Sequence, residues 1–269
     1  MVSEGGTFMH ELLLLVFLLC AMTAIWVASV AFEDSSIVDF FWGAGFAAIA
    51  WAVAITNKSA GLRVWVILFL VSLWALRLSS HMLRRHAGED RRYAAMRLAN
   101  GQRWWWQSLF QVFWLQALLI WFISWPLRYA LTAATPIRPL DFLGFGLIAG
   151  GIFIEAVADL QLANFRGHNE NRGRVLRRGL WALSRHPNYF GNAIMWWGFY
   201  LVALASSFGA LWTIVCPALM TWLLLRVSGV ALMEEGIVER RPDYADYIAS
   251  TRAFLPLPVQ LTASQNARR

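Results

Sequence analysis

The residues best suited to chemistry lie in one stretch, from Gly179 to Trp197, with the sequence GLWALSRHPNYFGNAIMWW. Its polar residues surround Pro187 and are Arg185, His186, Asn188 and Tyr189. A proline holds the residue before it in an extended conformation and suits the first turn of a helix, so we expect a helix to begin here. Unpaired backbone N–H groups of that turn, beside positive charge, would favour a phosphate or carboxylate ligand. The alternative is a helix start whose Arg, Trp and Tyr only anchor it at headgroup level.

Two acids lie in an apolar run before this stretch. Glu155 and Asp159 are four residues apart and therefore share one face of a helix. Arg166 and Arg174 follow. Carboxylates accept hydrogen bonds from ribose hydroxyls and arginines hold phosphates, so the pattern favours a nucleotide. No His lies nearby to complete a ligand set, so no metal is predicted. The alternative is a network of acids and arginines that ties a loop to a helix.

A third candidate is Asp39, which is followed by Phe40, Phe41 and Trp42 at the start of an apolar run. Ionisable residues at membrane depth are costly and are therefore functional candidates. A carboxyl group among aromatic rings could donate a hydrogen bond to a substrate oxygen. The alternative is that Asp39 only caps a helix.

The elements that must position these residues are membrane helices. The chain has 269 residues, of which 59% are hydrophobic, and its mean hydropathy is +0.51. Apolar runs long enough to cross about 30 Å of hydrocarbon recur along it. We predict an all-α, polytopic membrane helix bundle with seven transmembrane helices, near residues 11–31, 37–55, 62–80, 106–125, 140–160, 189–205 and 211–232. Cys20 and Cys216 lie far apart in apolar runs and predict neither a disulfide nor a metal site.

The distribution of charge predicts the orientation. The net charge of +7 comes mainly from arginines in two loops and the tail. Beside membrane spans this clustering indicates orientation rather than a nucleic-acid partner. Alternation places those arginines on one face, which predicts an external N-terminus and a cytoplasmic C-terminus. We expect a single membrane domain over residues 1–258 and a disordered tail over 259–269.

The central stretch resembles a known family. Gly-Leu-Trp followed by Ser-Arg-His-Pro-Asn-Tyr-Phe-Gly is similar to the C-terminal region of the membrane-embedded steroid 5-alpha reductases, most closely their bacterial branch of undefined substrate. Further matches are Asp39 to Gly43, Glu89 to Tyr93, Ser228-Gly229 with Glu234, and the final pattern of Tyr244, Tyr247, Phe254 and Pro256. The C-terminal reductase-like region covers about 140–258. Isoprenylcysteine carboxyl methyltransferases share a shorter Arg-His-Pro-x-Tyr core.

The resemblance implies a site for NADPH. It gives cofactor contacts to Asp159, Arg166, Arg174 and Asn188, and the residues grouped with them are Glu155, Arg185, His186, Tyr189, Glu234, Tyr244 and Tyr247. Two positions depart from the family pattern. The family has Asn where this chain has Glu155, and usually Glu where this chain has Asn192.

The resemblance also implies a reaction. The family's eukaryotic members polarise the substrate carbonyl with a Glu in the second span and a Tyr in the third. Asp39 could stand for that Glu, but Trp74 lies near the position of the Tyr, so Tyr93 is the alternative donor. We expect an integral membrane oxidoreductase that reduces a C=C bond conjugated to a carbonyl in an apolar lipid or steroid. It would lie in a bacterial inner membrane with its cofactor site facing the cytoplasm. The alternatives are a membrane methyltransferase using S-adenosylmethionine and a non-catalytic member of the same scaffold.

Overall fold

The computed structural model describes residues 4–58, 60–227, 229–230, 234 and 236–256. These residues form helices joined by turns and short loops, and they include no β-strand. Ser228 and the predicted disordered tail, 259–269, lie outside the described residues.

Ten helices carry most of the described chain. They are α1 (Glu4–Ala31), α2 (Val38–Thr56), α3 (Leu62–Arg85), α4 (Arg91–Asn100), α5 (Trp104–Ser108), α6 (Leu115–Ile123), α7 (Trp125–Thr132), α8 (Pro139–Gly167), α9 (Pro187–Ser206) and α10 (Val215–Trp222). Two π-helical segments, Leu109–Trp114 and Leu223–Val227, adjoin α6 and α10. Two short helices follow near the C-terminus, Ile237–Arg240 and Tyr244–Ser250.

Six helical stretches among the described residues are long and apolar enough to cross a membrane. They are Met9–Ala31, Ser35–Thr56, Leu62–Arg85, Arg91–Ile123, Pro139–Gly167 and Phe208–Val227. The prediction of an all-α integral membrane protein is therefore confirmed. The predicted sixth span forms helix α9, which has 20 residues, but it is not among the six. The count of seven and the orientation stay predictions.

The chain divides into two compact units. The first contains Met1–Asp141 and Val202–Cys216, and the second contains Phe142–Leu201 and Pro217–Arg269. Asp39 and Tyr93 belong to the first unit. The central stretch from Gly179 to Trp197 belongs to the second.

In the first unit, α2 and α3 pack closely along their length. A Cβ atom built on Gly43 would lie 3.1 Å from the Cα atom of Ala75, so a larger side chain would push the helices apart. The Ser79 hydroxyl donates to the carbonyl of Phe40 at 2.6 Å. Phe46 and Trp74 fill the space beside this contact and are fully buried. This packing fixes the start of α2, where Asp39 lies.

A buried ion pair ties another end of the first unit. The Arg63 guanidinium donates to both carboxylate oxygens of Asp141, at 2.7 and 2.8 Å. Its remaining donors reach the carbonyls of Thr135 and Pro136 at 2.7 and 2.8 Å. A buried charge is costly unless it is paired and hydrogen-bonded, and this arginine satisfies both conditions. The pair joins the start of α3 to the start of α8.

In the second unit, four glycines let α8 and α9 pack backbone to backbone. A Cβ atom on Gly151 would lie 2.4 Å from the carbonyl oxygen of Gly191, and one on Gly198 would lie 2.8 Å from that of Gly144. Real Cβ atoms do not approach a backbone oxygen so closely. Small residues at such contacts are typical of helix pairs in membranes because they maximise packing. Their close approach brings the polar residues of α8 opposite those of α9.

Substitution within this glycine contact should destabilise the second unit. We expect Gly151→Ala to lower the free energy of unfolding by about 1–3 kcal/mol, because the backbone oxygen of Gly191 cannot move aside without separating the helices. Gly150→Ala is the matched control in the same helix, since a Cβ atom there meets nothing within 4 Å. Thermal unfolding in detergent measures both. Equal melting temperatures for the two variants would contradict the close contact.

Candidate functional site

The central stretch is anchored on α8 before α9 begins. A short 3-10 turn spans Gly179–Ala182. Its first residue has a φ of +60° beneath the Gln161 amide, a conformation that glycine adopts most readily. The backbone N–H of Leu180 donates to Gln161 Oε1 at 3.0 Å, and the Trp181 indole donates to the carbonyl of Ala158 at 3.0 Å. Helix α9 then starts at Pro187, which confirms the predicted helix start.

Arg185 lies in a buried position and is fully engaged by the protein. Its Nε and one terminal nitrogen donate to the two carboxylate oxygens of Glu234, at 2.7 and 2.8 Å. Its other terminal nitrogen donates to the carbonyl of Thr251 at 2.5 Å. Its backbone N–H donates to the carbonyl of Arg252 at 2.9 Å. Arg185 therefore holds the C-terminal segment against the start of α9.

His186 shares the same carboxylate. Its Nε2 lies 2.9 Å from Glu234 Oε1, so that nitrogen carries the proton when the ring is neutral. Its ring stacks parallel to that of Tyr189, with centroids 5.5 Å apart and an interplanar angle of 1°. Glu234 thus orients Arg185 and His186, two of the predicted cofactor residues. Stacking on His186 fixes the ring of a third, Tyr189.

The Glu234 carboxyl group is held in its ionised form. Burial alone would raise its pKa, but hydrogen bonds from His186 and Arg185 and the charge of Arg185 outweigh burial and lower the pKa to about 2. The same interaction acts on the partner: burial alone would lower the pKa of Arg185, and Glu234 raises it. Burial and the Glu234 charge raise the pKa of Tyr244 to about 12. The three groups therefore form a fixed pair of charges beside a neutral phenol.

Tyr247 closes this network from the C-terminal helix. Its hydroxyl donates to the carbonyl of Trp181 at 2.5 Å and lies 3.3 Å from that of Ser184. Its ring is perpendicular to that of Tyr244, at a centroid distance of 5.3 Å. Both tyrosines are buried. Tyr247 therefore ties the C-terminal helix to the turn before α9, a structural task that the sequence pattern did not predict.

A row of acids and amides, which we call the polar ladder, consists of Glu155, Asp159, Asn188 and Asn192. The Asn188 amide donates to Asp159 Oδ1 at 3.1 Å. The Asn192 amide faces both oxygens of Glu155 at 3.4 and 3.5 Å. Glu155, Asp159 and Asn192 are only 5%, 6% and 7% exposed. The structure therefore brings the predicted acids of α8 together with the amides of α9.

One atom of the polar ladder is unsatisfied within the described chain. Asn192 Oδ1 is buried and accepts no hydrogen bond there. Buried polar atoms are rarely left without a partner, and each exception calls for a ligand, a water or a strain account. An amide group of a bound molecule could supply the missing donor.

The two predicted phosphate ligands, Arg166 and Arg174, are both exposed in the second unit. Arg166 is in the last turn of α8 and is exposed. It is seven residues beyond Asp159, or about 10 Å along the helix axis. Arg174 is exposed on the loop after α8, and its carbonyl accepts from Arg241 at 3.3 Å. Neither residue belongs to the buried polar ladder.

In the first unit, the structure brings Asp39 and Tyr93 together. The Tyr93 hydroxyl donates to Asp39 Oδ1 at 2.8 Å, and Arg92 donates to Oδ2 at 2.9 Å. Arg92 is held in turn by Asp90, whose carboxylate accepts from its Nε at 2.9 Å. The residue at the N-cap of α2 is Ile37, which makes no side-chain cap bond. Asp39 therefore binds α4 through both oxygens and does not act as the N-cap of α2.

Glu89 makes further contacts that hold helix α4 in place. Its carboxylate accepts from the backbone N–H of Ser35 at 2.9 Å and from two nitrogens of Arg97 at 2.9 and 3.0 Å. Burial alone would raise its pKa, but hydrogen bonds from Arg97 and Ser35 lower it below the usual value. Glu89 thus fastens the turn before α2 to α4. Sequence reasoning missed Arg92 and Arg97, although both stand within or just after the motif that contains Tyr93.

Fold and site together define the class: an integral membrane protein of helices with buried carboxylate, amide and guanidinium groups. A family model described as "Protein of unknown function (DUF1295)" matches residues 25–251. The chain belongs to this family. An uncharacterized protein of Schizosaccharomyces pombe is 27% identical over 266 residues, an alignment that covers 86% of this chain and 75% of the yeast protein. No solved structure gives a significant match.

The Glu234 interactions predict a pH dependence of stability. The carboxyl of an unfolded chain titrates near pH 4.3, whereas the folded value is about 2. The ionised form is therefore favoured by folding, and its contribution is complete above about pH 4.5 and is lost as the pH falls toward 2. We expect the melting temperature of the wild type to fall as the pH decreases from about 4.5 to about 3. Glu234→Gln has no carboxyl group at this position and should lack that part of the decrease.

Glu170→Gln is the control for this measurement, because Glu170 is an exposed residue of the same unit. Melting curves between about pH 6 and pH 3 compare the three proteins. Parallel curves for the wild type and Glu234→Gln would show that the Glu234 contacts contribute nothing to stability.

Proposed function

We propose that the protein is an integral membrane reductase that uses NADPH to reduce a C=C bond conjugated to a carbonyl in an apolar lipid or steroid. The resemblance of the stretch around Arg185 and Pro187 to the steroid 5-alpha reductases motivates this proposal. Geometry within each unit supports it, through the polar ladder in the second unit and the Asp39 cluster in the first.

The observation that carries the proposal is the pairing of Glu155 with Asn192. In the resembling reductases an amide stands at the first position and usually a carboxylate at the second, so each residue alone departs from the pattern. Here the two side chains face each other, 3.4 to 3.5 Å apart. One carboxylate and one amide are therefore present in exchanged order. A carboxamide ligand needs one acceptor for its NH₂ group and one donor for its carbonyl, and either order supplies both.

The residues of the second unit fit a dinucleotide. Glu155 and Asn192 would hold the carboxamide, and the unsatisfied Asn192 oxygen would gain a donor. Asp159 with Asn188 would bind ribose hydroxyls, and Arg166 with Arg174 would bind phosphates. Bound NADPH would supply the hydride. Arg185, His186 and Glu234 would position the start of α9, since Arg185 and His186 both bind the Glu234 carboxylate.

The first unit supplies groups for the carbonyl end of a substrate. Asp39 accepts hydrogen bonds on both oxygens, so we assign it the role of an anchor that orients Tyr93 and Arg92. The single Tyr93 O–H, which donates to Asp39 in this structure, would turn to the carbonyl oxygen of a bound substrate and supply the proton that neutralises the charge left there by hydride transfer. Arg92 would add a positive charge beside it, and fixed donors of this kind stabilise an oxyanion strongly. A lipid substrate would enter from the surrounding bilayer.

The location follows from the same proposal. We place the protein in a bacterial inner membrane, with α9 as a seventh span, an external N-terminus and a cytoplasmic C-terminus. This orientation turns the arginine-rich loops, and with them the cofactor site, toward the cytoplasm.

A cofactor test follows from the exchanged pair. NADPH at about 100 times its Kd should stabilise the purified protein by about 2.7 kcal/mol, and S-adenosylmethionine should not. Glu155→Asn leaves two amides and Asn192→Glu leaves two carboxylates, so each should weaken NADPH binding about tenfold or more. The double variant restores one group of each kind and should recover most of the affinity.

Ligand-dependent thermal shifts measure all three variants, with Glu170→Gln as the exposed control in the same unit. Stabilisation by S-adenosylmethionine alone would favour a methyltransferase. Stabilisation by neither compound would indicate a non-catalytic member of the scaffold. A double variant as weak as the single variants would remove the paired role of Glu155 and Asn192.

A second test addresses the Asp39 cluster. A panel of enone lipids and steroids is first screened by NADPH oxidation. With an active substrate, Asp39→Asn and Tyr93→Phe should each lower turnover by about 10²–10³-fold, a typical loss when one oxyanion donor is removed or misaligned. The NADPH-dependent thermal shift should stay near the wild-type value in both.

Asp246→Asn serves as the control, because Asp246 is exposed on the C-terminal helix. Wild-type turnover in Tyr93→Phe would exclude the hydroxyl as the proton donor. Wild-type turnover in Asp39→Asn would exclude the anchoring role.

A further inference from the structure

Helix α4 turns two of its three arginines inward and exposes its only leucine. Its inward side chains are Arg92, Tyr93 and Arg97, which bind Asp39 and Glu89. Its outward face contains residues at helical spacing that are all exposed, namely Arg91, Ala95, Leu98 and Ala99. Leu98 is 84% exposed. A surface helix in water shows the opposite pattern, with its apolar face toward the protein.

The length of the chain segment places α4 outside the hydrocarbon. The candidate span Arg91–Ile123 has 33 residues, which as a helix would be about 50 Å long. The hydrocarbon core is only about 30 Å thick. The helix is also interrupted at Gly101, which has a φ of +54° and begins the 3-10 turn Gly101–Arg103. The segment from Trp104 to Ile123 is therefore long enough to cross alone, and α4 is left for the interface.

The residues that flank α4 match the chemistry of a bilayer surface. Exposed arginines lie before the helix, at its first residue and after it: Arg84 and Arg85, Arg91, and Arg103. Two exposed indoles follow, Trp105 and Trp106. Tryptophan is typical of the headgroup level, and arginine binds phosphate with several parallel hydrogen bonds. Leu83 and Leu98 add exposed apolar surface.

We propose that α4 is an interfacial helix that inserts its outward face into the membrane surface and binds anionic phospholipid headgroups through Arg84, Arg85, Arg91 and Arg103. Leu98 lies at the boundary of the acyl chains, and the arginines lie at the level of the phosphates. Lipid then buries the alanines and the leucine of the outward face, and Arg91 on the same face reaches a phosphate. This inference is independent of the reductase proposal. It adds that bilayer composition acts on the helix that carries Arg92 and Tyr93.

Depth is tested first. In a Cys20→Ser background, Leu98→Cys is labelled with an environment-sensitive fluorophore and reconstituted into vesicles. Ala87→Cys, in the exposed loop before α4, is the matched control. We expect lipids with a quencher near the headgroup to quench the label at position 98, and aqueous iodide to quench it severalfold less than the label at position 87. Equal quenching of both positions by iodide would overturn the insertion of α4. This measurement uses the full chain and leaves all arginines in place.

Lipid selectivity is tested second. Nanodiscs of phosphatidylcholine are compared with nanodiscs that also contain phosphatidylglycerol, and retained lipids are counted by native mass spectrometry. Each basic residue at an anionic surface contributes roughly fivefold to binding, so changing all four arginines to Gln should lower the preference for phosphatidylglycerol by an order of magnitude or more. Arg172→Gln/Arg178→Gln, two exposed arginines of the second unit, should keep most of it. The wild-type preference should also decrease at high salt.

Inorganic phosphate added to the phosphatidylcholine nanodiscs separates a lipid from a free anion. We expect phosphate to leave the melting temperature unchanged, whereas phosphatidylglycerol raises it. A full effect of phosphate alone would overturn the assignment to lipid. Unchanged lipid preference in the four-arginine variant would overturn the role of the arginines.

Discussion

A charge placed among apolar side chains and lipid must have its partner within the protein, and this constraint organises both units. Water is scarce there, so an unpaired buried charge costs several kcal/mol. Arg63 pairs with Asp141 and Arg185 pairs with Glu234, and the partly exposed Asp39 pairs with Arg92. In each case the pair joins segments that are distant in the sequence. The donors left over on Arg63 and Arg185 bind backbone carbonyls. The groups left over in the Asp39–Arg92 pair bind the side chains of Tyr93 and Asp90. The ion pairs therefore act as cross-links between helices.

Close packing and polarity are combined in the second unit. The glycines of α8 and α9 remove side chains where the backbones touch. The acids of the polar ladder lie about one and two turns beyond Gly151 on α8, and its amides lie beside Gly191 on α9. Without the close approach, Asn188 and Asn192 would not reach the acids of α8. An apolar contact of the smallest residues thus determines the spacing of the most polar ones. The same contact fixes where Pro187 begins α9, and so where Arg185 and His186 lie.

Much of this architecture could be predicted because a bilayer permits few solutions. Backbone groups in hydrocarbon must bond within their own segment, so long apolar runs had to be helices. The chemistry of Pro187 set the start of α9, and spacing placed Glu155 with Asp159. Pairing between distant segments could not be read in this way. Nothing in the sequence assigns Glu234 to both Arg185 and His186. Which face of α4 is exposed depends on its contacts with Asp39 and Glu89. Those contacts come from tertiary packing, and contacts between distant segments leave no periodic pattern in the sequence.

The exchanged Glu155 and Asn192 bear on how such sites change through time. Going from one order to the other by single replacements requires an intermediate with two facing carboxylates or two facing amides. Two facing carboxylates would place two like charges together in a buried site. Two facing amides would leave a donor that otherwise binds a charged carboxylate with only a neutral acceptor. Either step should be disfavoured, so the two orders would tend to persist in separate lineages once established. A comparison that scores one position at a time counts both Glu155 and Asn192 as departures from the family pattern. A comparison that scores the facing pair as one carboxylate and one amide counts no departure.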